Sequence, residues 1–441
     1  MAAKYFRVLL AAILIGCTFA ASASPRIEHW TLANGVRVYF VEARELPMVA
    51  MQVVFDAGSA RDPIGKQGLS LMTAGLLNEG SGDLDIDAIA TRFEGLGAEF
   101  SAGSDRDMLS VALRSLSDRA LLDPAVDLAA QLLRAPSFPA DSLTRERAQA
   151  LLGLKQASQS AGDVGAKAFF AQLYETHPYA YPSQGSEAGL QAITRADLQT
   201  FHARHLVGGN AVLALIGDVS RRDAEALAKR LVGALPAGEK ITPLPKVADL
   251  APSRARAEMQ ITHPSSQTHI FLGAAGMGRN DPDYFPLFVG NYVLGGGGFV
   301  SRLTKAVRDQ RGLSYSVHSY FQPLREPGPF LLNLQTRNDQ TREALNVVRE
   351  VLAAFIKEGP TAEELSAAKM NLTGGFPLRI DSNRKIAEYL TLIGFYNLPL
   401  DYLNRFIARV EAVTPEQVRD AFQRRIHPQH MVTVIVGGTG N

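Results

Sequence analysis

Cysteine is the scarcest residue type that matters here. Cys17 is the only one among 441 residues, and it lies in a segment that reads as a cleavable export signal. The mature chain is therefore expected to hold no disulfide, whatever the redox state of its compartment. Net charge is nearly absent too: 45 Lys and Arg against 44 Asp and Glu leave +1. That gives no field to draw nucleic acid or an acidic membrane, and no run of Lys or Arg forms a basic tail. Long apolar runs are also missing. The best, residues 8–16, falls short of the ~20 residues that span a bilayer. What remains is ordinary globular material, 46% apolar and 20% charged, enough for a sizeable core and too apolar for disorder. At ~100–200 residues per domain, the length allows two to four domains.

Lys4 and Arg7 make a short positive region, residues 8–16 an apolar one, and Ala21-Ser22-Ala23 a small-x-small cleavage site. Cleavage there would make Ser24 the first mature residue and send the protein to the periplasm. Leu14-Ile15-Gly16-Cys17 also resembles a lipoprotein box, so anchoring through a lipidated Cys17 stands as an alternative.

Residues 46–56 (LPMVAMQVVFD) read as a strand. Residues 68–77, 85–95, 121–134 and 143–156 read as helices, the last with Asp141 or Ser142 as its N-cap. Residues 194–205 read as a short helix leading into a buried strand at 210–217. Residues 236–252, rich in Pro, Ala and Lys, read as a linker. The pattern then restarts with a strand at 269–275, an apolar helix at 284–294 and helices at 342–358 and 361–374. Residues 193–217 align without a gap on 413–437, a constant offset of 220 that sets Thr194 on Thr414, Arg204 on Arg424 and Gly217 on Gly437. The chain is read as two similar α+β domains, each ending in a helix and a core strand. The boundaries are a leader at 1–23, an N-terminal domain at 24–235, a linker at 236–255 and a C-terminal domain at 256–441.

Four segments resemble one family. They are Leu32-Ala33-Asn34-Gly35-Val36-Arg37-Val38; Asp56-Ala57-Gly58-Ser59-Ala60-Arg61-Asp62 with Gly68-Leu69 after it; His177-Pro178-Tyr179; and LGGGGFVSRLTKAVRDQRGLSYSV at 294–317. Together they resemble the pitrilysin/insulinase family of zinc metallopeptidases. The nearest shape is the bacterial two-domain type, similar to a mitochondrial processing peptidase subunit. The resemblance implies two homologous domains, each a mostly antiparallel sheet packed with helices, forming half of a clamshell.

It also implies a zinc site, and the residues for one are missing. The family's motif is H-x-x-E-H on the helix after the first strand. Two histidines a turn apart hold Zn²⁺, and the glutamate deprotonates the attacking water. A third ligand, a glutamate, comes from a helix further on. Aligned on Gly68-Leu69 and Gly80-Ser81, the first histidine becomes Leu71, the base Ala74 and the second histidine Gly75. The third ligand falls near Gly153; Glu146, two turns earlier, matches an acid that lies outside the family's metal site. No metal is therefore expected in this chain. His202-x-x-His205 and His427-x-x-His430 have helical spacing but no nearby base, and read as surface or capping histidines. Gly295 to Gly298 lack the Gly-Lys-Ser/Thr of a phosphate loop, and read as a tight turn with close backbone approach before a helix at 299–310. No G-x-S-x-G nucleophile elbow is present.

The family's second half supplies an arginine and, seven residues later, a tyrosine. By resemblance these are Arg308 and Tyr315. A guanidinium and a phenol suit the oxyanion formed when water attacks a peptide carbonyl. A chain with this pair and without zinc is expected to be the non-catalytic subunit of a heterodimeric endopeptidase. Its partner would be a homologous chain bearing H-x-x-E-H and the zinc, and its substrates unstructured peptides. The other expectation is an inert peptide-binding or structural scaffold of the same fold.

Overall fold

The computed structural model describes residues 26–239, 241–248 and 258–438. The leader at 1–23, with Cys17 and its cleavage site, lies outside them. Among the described residues, no helix is long and apolar enough to cross a membrane.

Two sheets organise the chain. The first contains β1 (Glu28–Thr31), β2 (Arg37–Glu42), β3 (Met48–Phe55), β6 (Glu99–Ser104), β7 (Leu109–Leu116) and β8 (Ala211–Gly217) in the order β1-β2-β8-β3-β7-β6. A separate short ladder joins β4 (Gly80–Ser81) to β5 (Leu84–Asp85). The second sheet contains β9 (Glu258–Ile261), β10 (Gln267–Ala275), β11 (Val317–Phe321), β12 (Pro329–Arg337) and β13 (Val432–Val436) in the order β11-β12-β10-β13-β9. Only the β2/β8 and β9/β13 pairs are parallel. Read from the free edge inward, β11-β12-β10-β13 repeats β6-β7-β3-β8.

The local signals repeat with the strands. Thr194 and Thr414 each accept the backbone N–H of the third helical residue, and Asp197 and Gln417 return a bond to the cap, so both helices start in a capping box. Ser160 caps Ala161–Tyr174, and Ser382 caps its counterpart Asn383–Phe395.

Those last two helices are exchanged between the halves. Alternation along the first sheet splits its side chains by face. Val38, Phe40, Met51, Val53 and Leu213 join the first half's own core. Tyr39, Val41, Val54, Val212 and Ala214 join a core built mainly from the second half. Asn383–Phe395 lies on that second face so closely that a Cβ on Gly394 would come within 2.4 Å of Val212 Cγ1. Conversely, Ala161–Tyr174 from the first half covers one face of the second sheet, with Phe169 and Leu173 among Phe271, Leu331 and Val434. A Cβ on Gly165 would fall 2.1 Å from the Phe271 ring. Both sheets are thus buried on two sides.

A buried polar cluster stitches the same boundary. Asp107, 2% exposed, accepts the Tyr179 hydroxyl at 2.5 Å, the Tyr396 hydroxyl at 2.8 Å and the Arg325 backbone N–H at 2.7 Å. Burial, then the adjoining Asp107 charge, pushes both phenols well above the usual tyrosine range. The described part of the expected linker, residues 241–248, forms no helix or strand. It is tied down by Arg61 to the Thr242 carbonyl at 2.7 Å and by His177 to the Pro245 carbonyl at 2.9 Å.

Two local expectations fail. The helix expected from residue 143 spans Ala140–Ala157, and neither Asp141 nor Ser142 caps it. Pro139 holds the cap position, with a preset φ of −62° and no side-chain bond. The helix expected at 299–310 starts later. A 3-10 turn occupies Gly298–Val300, and Ser301 then accepts the Thr304 N–H at 3.3 Å. That cap leaves Phe299 and Val300 outside the helix and exposed.

Candidate functional site

The three positions set against the zinc motif, Leu71, Ala74 and Gly75, lie on the Leu69–Gly75 helix. Gly68 begins it, and the Asp62 carboxylate reaches back to accept the N–H groups of Gly68 and Ser70, each at 2.7 Å. Ser70 anchors the other side. Its hydroxyl donates to the Ala57 carbonyl at 2.5 Å and meets Ser104 Oγ of the edge strand β6, also at 2.5 Å. The helix is therefore placed firmly beside a sheet edge, and those three positions offer no ligand or base. Leu71 is half-buried, Ala74 fully buried and Gly75 exposed.

What stands near Gly75 is a pair of acids. A Cβ there would lie 3.7 Å from Glu146 Oε2. Buried Glu79 is held by Arg145, whose Nε is 3.8 Å from Glu146. Burial, and then the Glu79 charge, pushes the Glu146 carboxyl above the usual range. Two carboxylates without an imidazole do not make the three protein ligands of a catalytic zinc site. Among the described residues, no group of three or more His, Cys, Asp or Glu could hold a metal. Gly153 lies further along the Ala140–Ala157 helix, at the wall of a cavity of about 980 Å³ shared with Leu152, Leu154 and Phe170. The residues present do not fit zinc.

Arg308 and Tyr315 do come together. Regular α-helical geometry is lost around Arg308: Tyr292–Gly296 precedes it and Thr304–Asp309 contains it, and both are π-helical, a feature frequent at functional sites. After Arg308, Gly312 takes φ +61° and returns the chain toward β11. The Arg308 guanidinium lies 5.1 Å from the Tyr315 ring centroid and 4.7 Å from that of Phe299. Tyr315 is 84% exposed and Phe299 74%. No carboxylate among the described residues pairs with Arg308. The expected close approach at the glycine turn is also seen, since a Cβ on Gly295 would sit 2.4 Å from Ser319 Oγ. No hydrogen bond or ring contact among the described residues links Arg308 or Tyr315 to the Leu69–Gly75 helix.

The histidine pairs are structural. His427 is exposed as expected, with the His430 ring centroid 5.7 Å from its own. His202 Nε2 bonds the Leu133 carbonyl at 2.8 Å. His205 is buried against Phe201, ring centroids 4.5 Å apart, so it is not the surface or capping residue its spacing suggested. Burial, and then Arg204 and Arg61, lower its pKa to about 4. A histidine lowered in the fold binds fewer protons there than in the unfolded chain, so its contribution is lost as pH falls below the unfolded value near 6.5. Between pH 7 and pH 4 it is expected to cost on the order of 3 kcal/mol. Urea midpoints of the wild type and His205→Gln check this: the pH-dependent loss should shrink in the variant. An equal loss in both would refute the assignment.

Sequence alone missed Phe299, because its position read as helical. It also missed Asp62 and Asp107, whose partners are set only by the fold. An acid six residues before a glycine-started helix is the one local hint for Asp62.

Comparisons with known proteins identify the family. The family model described as insulinase (peptidase family M16) matches residues 37–186, and the one described as the peptidase M16 inactive domain matches residues 192–372. A crystal structure of a peptidase M16 inactive domain from Pseudomonas fluorescens is 42% identical, with a TM-score of 0.90 over 94% of this chain and 98% of that one. The non-peptidase homolog YmxG of Helicobacter pylori is 26% identical over 98% of each chain. The periplasmic protease PqqL of Escherichia coli shares the fold at 16% identity and a TM-score of 0.79, with 94% of this chain covering 46% of PqqL.

Proposed function

The chain belongs to the insulinase (M16) peptidase family, and from that premise we propose that it is the non-catalytic subunit of a heterodimeric periplasmic zinc endopeptidase. The observation that carries this reading is the contrast between its two halves. The Leu69–Gly75 helix keeps its place and its caps while Leu71, Ala74 and Gly75 carry no ligand or base. Half-buried Arg308 and exposed Tyr315 are adjacent, and no carboxylate among the described residues pairs with either. An unpaired guanidinium beside an open phenol contributes little to a fold, and it suits an oxyanion.

In this reading a homologous partner with an intact H-x-x-E-H supplies zinc and the general base. This chain supplies half of the chamber. Its Arg308 guanidinium and Tyr315 hydroxyl hold the substrate carbonyl, and exposed Phe299 and Val300 grip an apolar side chain next to it. Strand β6 ends its sheet with one row of backbone groups unpaired. An unstructured peptide can add there as a further strand. The export signal read from the sequence, and the periplasmic protease among its structural neighbours, support the location.

The test is to purify this chain, its H-x-x-E-H-bearing homologue and the mixture, and to assay each on an unstructured peptide. Cleavage by the mixture alone is expected. Full activity from the homologue by itself would overturn the proposal. Peptide binding without cleavage in any combination would favour the inert scaffold.

A further inference from the structure

A second cavity, of about 430 Å³, lies in the C-terminal half between Tyr284–Asn291, Asn383–Phe395 and Tyr402–Glu411. Its walls are apolar and aromatic, with Phe288, Leu392 and Phe406 prominent. Three tyrosines, Tyr284, Tyr389 and Tyr402, bring phenol groups to it, and two arginines, Arg279 and Arg379, bring charge.

Among the described residues neither arginine has an anion. Arg279 Nε is buried without a hydrogen-bond partner. Its nearest polar contact is the Tyr284 hydroxyl, long at 3.4 Å, and its guanidinium lies 5.5 Å from the Tyr396 ring. The aspartates that follow it are engaged elsewhere, Asp281 by Arg425 at 2.6 Å and Asp283 by Arg424 at 2.8 Å. Arg379 sits exposed at the rim beside the Tyr389 hydroxyl. The cavity's one carboxylate, Glu388, bonds Arg384 at 3.1 Å, and Lys385 is held by Asp381 at 2.8 Å. A partly buried guanidinium without a counter-ion is costly, and such groups are normally paired. Its placement at the wall of an apolar pocket of ligand size marks a site awaiting an anion.

We propose that this cavity binds the carboxylate of an amphipathic ligand, its head between Arg279 and Arg379 and its apolar body against Phe288, Leu392 and Phe406. A planar carboxylate matches the guanidinium fork. Its source is either the C-terminus of an apolar peptide or a short fatty acid. The proposal is independent of the Arg308/Tyr315 reading, and binding is measured without any partner.

Isothermal titration of the full chain with acetyl-Leu-Phe, its C-terminal amide and octanoate tests it. At least one free acid is expected to bind below millimolar Kd. A response to acetyl-Leu-Phe alone identifies a peptide C-terminus, and one to octanoate alone identifies a fatty acid. Removing the acid charge as the amide, or replacing Arg279→Gln, should weaken binding at least tenfold. Arg379→Gln, at an exposed position and with its fold checked by a melting curve, should weaken it several-fold. No binding by either acid, equal binding of acid and amide, or full binding by both variants would overturn the proposal.

Discussion

Arg308→Ala or Tyr315→Phe is expected to lower kcat of the reconstituted complex by ~10²–10³ while leaving assembly and thermal stability unchanged. The size follows from where the pair acts. A donor aimed at charge that develops only in the transition state lowers kcat, whereas a donor that merely holds the peptide raises KM. The stability expectation follows from how little ties the pair down: Tyr315 stands 84% exposed, and half-buried Arg308 makes no side-chain hydrogen bond or ion pair among the described residues, its ring contacts being Phe299 and Tyr315. Steady-state kinetics with melting curves on each variant separates these outcomes. Unchanged kcat in both would mean that the pair does not serve a neighbouring subunit's chemistry. Loss of complex formation would instead make it an interface element.

Asp107→Ala is expected to destabilise the chain by about 3–5 kcal/mol, the range seen when one partner of a buried charged cluster is removed. Three donors converge on this carboxylate, and the substitution strands the Tyr179 and Tyr396 hydroxyls and the Arg325 N–H together. A buried donor left unsatisfied costs about 1–3 kcal/mol. Asp107→Asn keeps an acceptor oxygen and should recover part of the loss. Urea denaturation of both variants measures it. A loss below about 1 kcal/mol in the alanine variant would show that water replaces the carboxylate.

The strand and helix plan was legible because the signals were local. Thr194 and Thr414 announced their helices, and the β-branched runs at 46–56 and 210–217 announced β3 and β8. The fold class followed from the repeat and the resemblance together. That Leu71, Ala74 and Gly75 cannot hold a metal was legible without the fold, since no placement gives those side chains a donor atom. What stayed hidden depended on long-range contacts. Ser301 rather than Phe299 starts the helix that carries Arg308, and this leaves Phe299 and Val300 in solvent. The burial of His205 and the convergence on Asp107 likewise join residues distant in sequence. Helical spacing made His202 and His205 look alike, yet one bonds a carbonyl and the other is packed in the core.

The exchanged helices have a consequence for how the chain can be divided. A fragment ending near residue 235 would present the naked face of its sheet, Tyr39, Val54 and Val212 included, with nothing to replace Asn383–Phe395. The complementary fragment would lack Ala161–Tyr174 over Phe271 and Val434. Neither is a self-sufficient folding unit, but each carries the missing cover of the other. Supplied as two polypeptides, they should recombine by fragment complementation.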